Sequence, residues 1–192
     1  MLTRKSIAQI VSKMRRLEDT LEARLFKPAG QVALRFYQTP EPLHAIPDAG
    51  LFGDLPESRV WGGEAMYGWF TGQFQVPAEL SGQALFLYPH IGGYEATLWV
   101  NGKIHSNFAS KHIYGSHGNH YCNRFCASAI PGETFDFALE YYAFHTMPGT
   151  QPLTDEAQKS FEYPIGTVEV CTRDELFFEY LFDLKTITSL IG

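Results

Sequence analysis

Histidine and cysteine side chains, which can bind metals or transfer protons, are concentrated in the segment KHIYGSHGNHYCNRFC. Its His112, His117, His120, Cys122 and Cys126 are residue types that bind zinc. Their spacing, H-x4-H-x2-H-x-C-x3-C, matches no known ligand pairing, and a loop rich in Gly and Asn does not hold ligands in place beforehand. A redox pair is the alternative for the cysteines, but the x3 spacing and the lack of a helix signal favour buried thiols. We therefore predict no metal and no cofactor in this chain.

The loop from Asn101 to Asn123 that carries these histidines is long and polar. Structureless loops of more than roughly 12 to 15 residues in compact domains are usually functional or disordered. Neutral imidazoles and amides hydrogen-bond sugar hydroxyls and the backbone of partner domains. The candidate residues for a carbohydrate or domain interface are His112, His117, Asn119 and His120. A solvated surface loop is the alternative.

Acidic residues and tryptophans suggest sugar chemistry. Glycoside hydrolysis needs two carboxyl groups about 5 to 10 Å apart, and the sequence does not place any two acids opposite each other, so no catalytic residue is predicted. Tryptophan rings can stack on sugars, although a Trp in an alternating strand is more often in the core, as expected for Trp99. Trp61, beside Gly62 and Gly63, is predicted to be the exposed ring. The acids in the strand region are Glu64, Glu95, Asp136 and Glu140.

The composition predicts one globular domain, with or without helical appendages. Of 192 residues, 45% are hydrophobic, and 15 Lys and Arg against 21 Asp and Glu give a net charge of -6. Such a chain has no overall positive field, so we predict no nucleic-acid partner and no membrane partner. No stretch approaches the roughly 18 apolar residues of a membrane span, and charges occupy the N-terminus where a signal peptide has an apolar run. We expect a cytoplasmic protein.

The first thirty residues form a separate unit, an amphipathic helix predicted from about Ser6 to Phe26. Ser6 can cap this helix, and Pro28 and Gly30 are expected to end it. Acidic residues share its basic polar face, so packing against protein is favoured over a membrane surface. Its apolar stripe consists of Ile7, Ile10, Val11, Met14, Leu17, Leu21 and Leu25.

Residues 31–170 show the short alternating runs of an antiparallel all-β domain. In the clearest run, four apolar residues alternate with Asp136, Ala138, Glu140 and Tyr142, so one face is predicted to be buried. Asn101-Gly102 indicates a two-residue hairpin turn. The four apolar residues are Phe135, Phe137, Leu139 and Tyr141. Strands are predicted at 32–38, 66–76, 84–88, 94–100, 134–143 and 166–170.

Residues 171–192 return to a helical period, opened by the capping-box sequence from Thr172 to Glu175. The chain ends at Gly192 with an apolar helix face, which indicates the start of a helical connector to a missing catalytic domain. A natural C-terminus is the alternative. The stripe expected to pack consists of Leu176, Phe177, Tyr180, Leu181, Leu184, Ile187 and Ile191.

These parts together resemble a known family. The segment VWGGEAMYGWFTGQFQVPAELSGQALFLYPHIGGYEATLWVNGK, then IPGETFDFALEYYA, and the run FEYLFDLKTI at 178–187 are similar to the N-terminal region of glycoside hydrolase family 38 α-mannosidases. The resemblance is most specific over residues 60–142 and the terminal helix. It implies an antiparallel β-sandwich of jelly-roll, galactose-binding-like type, flanked by an N-terminal and a C-terminal α-helix.

The resemblance implies hydrolysis of α-mannosidic bonds for a full-length parent only. In that family the zinc ligands and the aspartate nucleophile belong to a catalytic barrel that no stretch here matches, so zinc is expected in the parent and not in this chain. The sandwich would pack on its own catalytic domain, assist oligomer assembly, including a homo-oligomer, or control substrate access. An independent carbohydrate-binding module, supported by Trp61 and the polar loop, is the alternative.

Overall fold

The computed structural model describes residues 3–93, 95–109, 121–144 and 161–191. In the described residues, one α-helix precedes the ten strands in sequence and a second α-helix follows them. The helices are α1 (Arg4–Glu22) and α2 (Glu175–Ile191). The strands are β1 (Phe26–Gln31), β2 (Arg35–Thr39), β3 (Val60–Gly62), β4 (Tyr67–Gln75), β5 (Leu85–Ile91), β6 (Glu95–Val100), β7 (Lys103–Ala109), β8 (Asn123–Cys126), β9 (Thr134–Tyr142) and β10 (Glu162–Arg173).

The strands form two five-stranded antiparallel sheets. The first sheet has the order β1-β10-β5-β8, with β3 also paired to β10, and the second has the order β2-β4-β9-β6-β7. The sheets share one apolar core, to which β5 and β10 contribute from one side and β4, β6 and β9 from the other. The predicted antiparallel sandwich with a helix at each end is therefore confirmed.

Alternation along β9 produces the central part of this core. Phe135, Phe137, Leu139 and Tyr141 are all buried, as predicted, because successive side chains of a strand point to opposite faces. β9 lies between β4 and β6, with Leu139 opposite both Phe70 and Leu98. The outer face of the same strand carries the polar residues of the alternating pattern.

The turn between β6 and β7 is the predicted two-residue hairpin. Val100 is paired with Lys103, and Asn101 and Gly102 have φ values of 50° and 75°. Positive φ at both central residues is the geometry that Asn-Gly favours in tight hairpins. β7 then continues to Ala109, so the prediction of one loop from Asn101 to Asn123 is wrong for this first part.

Helix α1 differs from its predicted bounds at both ends. Thr3, not Ser6, is the N-cap, and its Oγ1 accepts a hydrogen bond from the Ser6 N–H. The helix stops at Glu22 because the chain then pairs with β10, so that Pro28 and Gly30 lie within β1. A proline is tolerated there because β1 is an edge strand.

The N-cap of helix α2 is Asp174, and not Thr172 as the predicted capping box would have it. Asp174 Oδ1 accepts the Phe177 N–H at 3.2 Å, whereas Thr172 belongs to β10, where it pairs with Lys27. No helix in the described residues is long and apolar enough to cross a membrane.

The helices α1 and α2 pack against each other in antiparallel orientation. Lys185 Nζ lies 2.7 Å from Glu22 Oε2, and one turn further along α2 the Thr188 hydroxyl donates to Glu18. Helix α1 therefore packs against another helix of the chain, although Ile10 and Leu17 of its predicted apolar stripe are exposed. We call the pair the helical hairpin.

Candidate functional site

Trp61 is the first predicted site residue, and its predicted exposure is wrong. Only 3% of the residue is exposed, and its Nε1–H donates to the Gly92 carbonyl at 2.8 Å. The ring packs on Phe70, Tyr141 and Tyr163 within the main core. A buried ring offers no face to a sugar, so Trp61 is a core residue.

The other four candidates, His112, His117, Asn119 and His120, lie outside the described residues. Of the loop histidines, His105 is described. It lies on β7, where its Nε2 is 2.8 Å from the Arg124 carbonyl oxygen. In the described part of the chain, no three His, Cys, Asp or Glu side chains form a group that could hold a metal ion.

The three cysteines are free thiols. Cys122 and Cys126 are half-buried and Cys171 is buried. Burial raises the pKa of all three, that of Cys171 to about 12. Thiols that stay protonated near neutral pH are poor nucleophiles, and the prediction of buried thiols at Cys122 and Cys126 holds in part because both are half-buried.

Three of the four acids, Glu95, Asp136 and Glu140, lie on the outer face of the second sheet, toward its two ends, whereas Glu64 lies between β3 and β4. Asp136 accepts a hydrogen bond from Gln73 Nε2 at 2.6 Å at one end of β9. At the other end, Glu140 and Tyr142 lie beside Glu95, which is directly opposite Tyr142. Glu140 has Trp69 opposite it on β4 and Thr97 on β6. Its direct cross-strand neighbours are thus an indole and a hydroxyl.

Glu140 is the most unusual acid of this group. It is half-buried, and its carboxylate makes no hydrogen bond or ion pair within the described chain. Burial raises its pKa, and the nearby His44 imidazole opposes this only partly. A carboxylate that is half-buried without a partner costs some stability in its charged form.

Two indoles next to Glu140 also lack a hydrogen-bond partner in the described chain. Trp69 and Trp99 have ring centroids 6.2 Å apart, and neither Nε1–H has a hydrogen-bond partner within the described residues. Trp69 is covered by the segment containing Phe52, which packs on it together with Ala138. Trp99 is half-buried on this outer face and packs against the cluster of Phe52, Trp69 and Ala138, so the prediction that it is a core residue holds only in part.

A pair of stacked rings completes the surface. Tyr67 and Tyr142 lie with centroids 4.9 Å apart and an interplanar angle of 28°, and both are half-buried. We name the set Tyr67, Thr97, Trp99, Glu140 and Tyr142 the Glu140 surface. Aromatic rings beside a carboxylate and a hydroxyl are the groups that proteins use to hold a sugar ring.

A second surface is apolar and lies on the helical hairpin. Leu181 and Thr188 of α2 are buried, but Leu176 is 77% exposed, so the predicted packing stripe is wrong for much of its length. At about 100° per residue, the exposed apolar residues of the two antiparallel helices other than Phe182 fall on one side of the hairpin. We name this set the hairpin face: Ile10, Leu17, Leu176, Tyr180, Ile187, Leu190 and Ile191.

The described residues thus define an antiparallel β-sandwich with a helical hairpin. No protein-family model matches the chain, and no curated protein matches it. It is similar to solved structures of β-glucuronidase from Ruminococcus gnavus. The complex with uronic deoxynojirimycin has 14% identity and a TM-score of 0.44, and the match covers 79% of this chain and 29% of that one. The complex with D-glucaro-d-lactam has 14% identity and a TM-score of 0.44, covering 79% and 30%.

A further structure of the same enzyme has 13% identity and a TM-score of 0.42, and the match covers 79% of this chain and 29% of that one. The chain therefore spans less than a third of the length of each of these enzymes. All three are structures of a glycoside hydrolase.

Proposed function

We propose that this chain is a non-catalytic β-sandwich module of a glycoside hydrolase whose full-length form is a cytoplasmic α-mannosidase. One line of support for this proposal comes from the sequence and the other from the structure. The sequence resemblance over residues 60–142 and the terminal helix supports the choice of parent. The hairpin face is the structural observation that carries the module role, because monomeric proteins rarely leave a contiguous set of large apolar side chains in water.

The hairpin face also constrains the partner. Lys13 of α1 is exposed on one margin of the face, and Glu179 and Asp183 of α2 are exposed on the other. A complementary surface would be apolar at its centre, with acidic groups opposite α1 and basic groups opposite α2. In this proposal the partner is the chain's own catalytic domain, which would hold the zinc ion. The module would position that domain, assist oligomer assembly or control substrate access.

The gene itself provides the first test. The proposal requires that the reading frame continue beyond Gly192 into a catalytic domain, and a stop codon at that point would overturn it. In the full-length enzyme, Ile187→Glu places a charge in the hairpin face and should lower the melting temperature and kcat/KM together. Ser189→Glu, an exposed position on the same helix outside the face, is the matched control.

Activity of the isolated chain provides the second test. Pure 192-residue protein should not hydrolyse nitrophenyl α-mannoside, because the sequence carries no recognisable acid-pair or metal motif and the proposal assigns catalysis to a separate domain. Turnover that disappears in Glu64→Gln or Glu140→Gln would refute the non-catalytic role.

The second candidate function is an independent carbohydrate-binding module, and the Glu140 surface favours it. A sugar on this surface would donate hydrogen bonds from its hydroxyls to the Glu140 carboxylate and stack against the exposed parts of the rings. Glycan-array binding by the isolated chain, lost in Glu140→Gln, would support this function. Asp136→Asn is the matched control because Asp136 lies on the same strand and face but already binds Gln73. Binding that survives Glu140→Gln, or that is lost equally in the control, would refute it.

A further inference from the structure

A separate pocket lies where the end of α1 meets the outer face of the first sheet. It has a volume of about 310 Å³ and is lined by Asp19, Glu22, Ala23, Phe26, Tyr88 and Tyr121. Three of these six residues are aromatic, two are acidic and none is basic. We name it the ring pocket.

The three rings stand at steep angles to one another. Phe26 and Tyr121 are nearly perpendicular, at 87° with centroids 6.0 Å apart, and Phe26 and Tyr88 meet at 64° and 6.3 Å. Tyr88 and Tyr121 are closest, with centroids 5.3 Å apart at 50°. At these distances the rings pack against one another, and the parts that border the pocket present electron-rich aromatic surface to which a cation is attracted.

The rings are fixed by contacts on their outer sides. His90 stacks on Tyr88 with centroids 4.2 Å apart, and its Nε2 lies 3.2 Å from Glu169 Oε2. The Tyr121 hydroxyl donates to Glu22 Oε1 at 3.3 Å. A site built in advance in this way loses little conformational entropy when a ligand binds.

The two carboxylates differ in availability. Glu22 is engaged by Lys185 at 2.7 Å and by Tyr121. Asp19 makes no side-chain hydrogen bond or ion pair in the described part of the chain, and it is exposed. Asp19 also borders a groove that contains Arg15 and Arg16, which will weaken its attraction for a cation. The rings, and not the acids, should therefore supply most of the affinity.

We propose that the ring pocket binds an alkylated ammonium group, such as a quaternary or trimethylated amine. A primary ammonium is strongly hydrated and needs several hydrogen-bond acceptors, whereas a methylated cation carries its charge on an apolar surface that three rings can cover. The volume lies at the lower end of the range for small-molecule pockets, which suits a ligand of a few heavy atoms. This proposal does not depend on the proposed function.

Calorimetric titration of the full chain with choline tests the proposal. We expect a dissociation constant of about 1 mM at low salt. The neutral isostere 3,3-dimethylbutan-1-ol has the same shape without the charge and should bind at least about tenfold more weakly. Equal binding of both compounds would show a merely apolar pocket, and no binding of choline up to about 20 mM would show no site at all. Either result overturns the proposal.

Variants then locate the site. Tyr88→Leu should weaken choline binding about tenfold, whereas Tyr180→Leu, which removes an exposed tyrosine of α2, should leave it unchanged. Tyr121→Phe keeps the ring and deletes only the hydroxyl, so it should retain binding even if larger changes at Tyr121 unfold the chain. Melting temperatures of all variants verify folding. Equal losses in Tyr88→Leu and Tyr180→Leu would overturn the assignment.

Discussion

Replacing Trp61 distinguishes a core residue from a sugar-binding ring. In Trp61→Phe, the Gly92 carbonyl loses the donor 2.8 Å away, and the smaller ring leaves space beside Phe70 and Tyr163. An unsatisfied buried polar group costs roughly 1 to 3 kcal/mol, and the lost packing adds to this cost. We expect a loss of about 2 to 3 kcal/mol for Trp61→Phe, and about 3 to 5 kcal/mol for Trp61→Ala.

Denaturant unfolding followed by far-UV circular dichroism measures these losses. A domain of this size loses about 2 to 4 °C in melting temperature per kcal/mol, so Trp61→Ala should melt roughly 6 to 20 °C lower. Tyr180→Ala, a 54%-exposed aromatic residue on α2, is the control and should change stability by less than about 1 kcal/mol. If Trp61→Ala unfolds at the same denaturant concentration as the unmodified chain, the burial argument is wrong.

Three further predictions concern the core, the Glu140 surface and the thiols. Phe137→Ala should cost roughly 3 to 5 kcal/mol in the same assay, because Phe137 packs on Phe125 at 4.9 Å, and an unchanged unfolding midpoint would contradict this. Burial raises the pKa of Glu140, so the folded state holds the proton more tightly and stability falls as pH rises above the ordinary glutamate range. Glu140→Gln should remove that fall and raise the melting temperature at pH 7, and identical pH profiles would contradict the reasoning. Because burial raises its thiol pKa to about 12, Cys171 should react with a thiol reagent at pH 8 only after unfolding, and rapid labelling of the native chain would disprove this.

The strands of the second sheet were predictable where alternation and turn chemistry agree. Phe135 to Tyr141 follow a strict period of two, and Asn101-Gly102 specifies a turn whose geometry few other residue pairs tolerate. Both the alternation and the turn signal depend only on neighbouring residues, so they predict local structure without knowledge of which strands pair. The alternation also indicated that Glu140 faces outward, on the opposite side from Leu139.

The ends of the helices were not predictable, because they depend on pairing between distant residues. Lys27 is opposite Thr172 in the β1–β10 pair, which converts residues at both helix boundaries into strand. The stripe of α2 was mispredicted for a related reason. The helix is apolar on more than one side, so only the position of α1 decides that Thr188 is buried and Leu176 is not.

The sequence neighbours of Trp61 and Trp99 are misleading, so the burial of Trp61 was mispredicted and that of Trp99 was predicted only in part. The glycines near Trp61 indicated an exposed loop, yet a Cβ added at Gly68 would lie 2.5 Å from the Trp61 ring, so a glycine there allows the indole to approach the sheet. Trp99 lies in an apolar run that resembles a buried strand. Leu98 points into the core, so the adjacent Trp99 points to the opposite, outer face of the sheet. Grouping Trp99 with Glu140 required knowledge that β6 and β9 are adjacent.

The Glu140 surface combines features that a purely structural module would have no reason to keep. Its half-buried Glu140 carboxylate has no hydrogen-bond partner in the described chain and a pKa that burial raises, and a neutral replacement would remove the cost of the charge. Groups that reduce stability persist when they contribute to binding, which is the usual trade-off at functional sites. If this surface binds a sugar, Glu140→Gln should therefore raise the melting temperature while weakening glycan binding. A scaffold residue would not move the two measurements in opposite directions, so a stabilised variant with unchanged glycan binding would remove the surface from consideration.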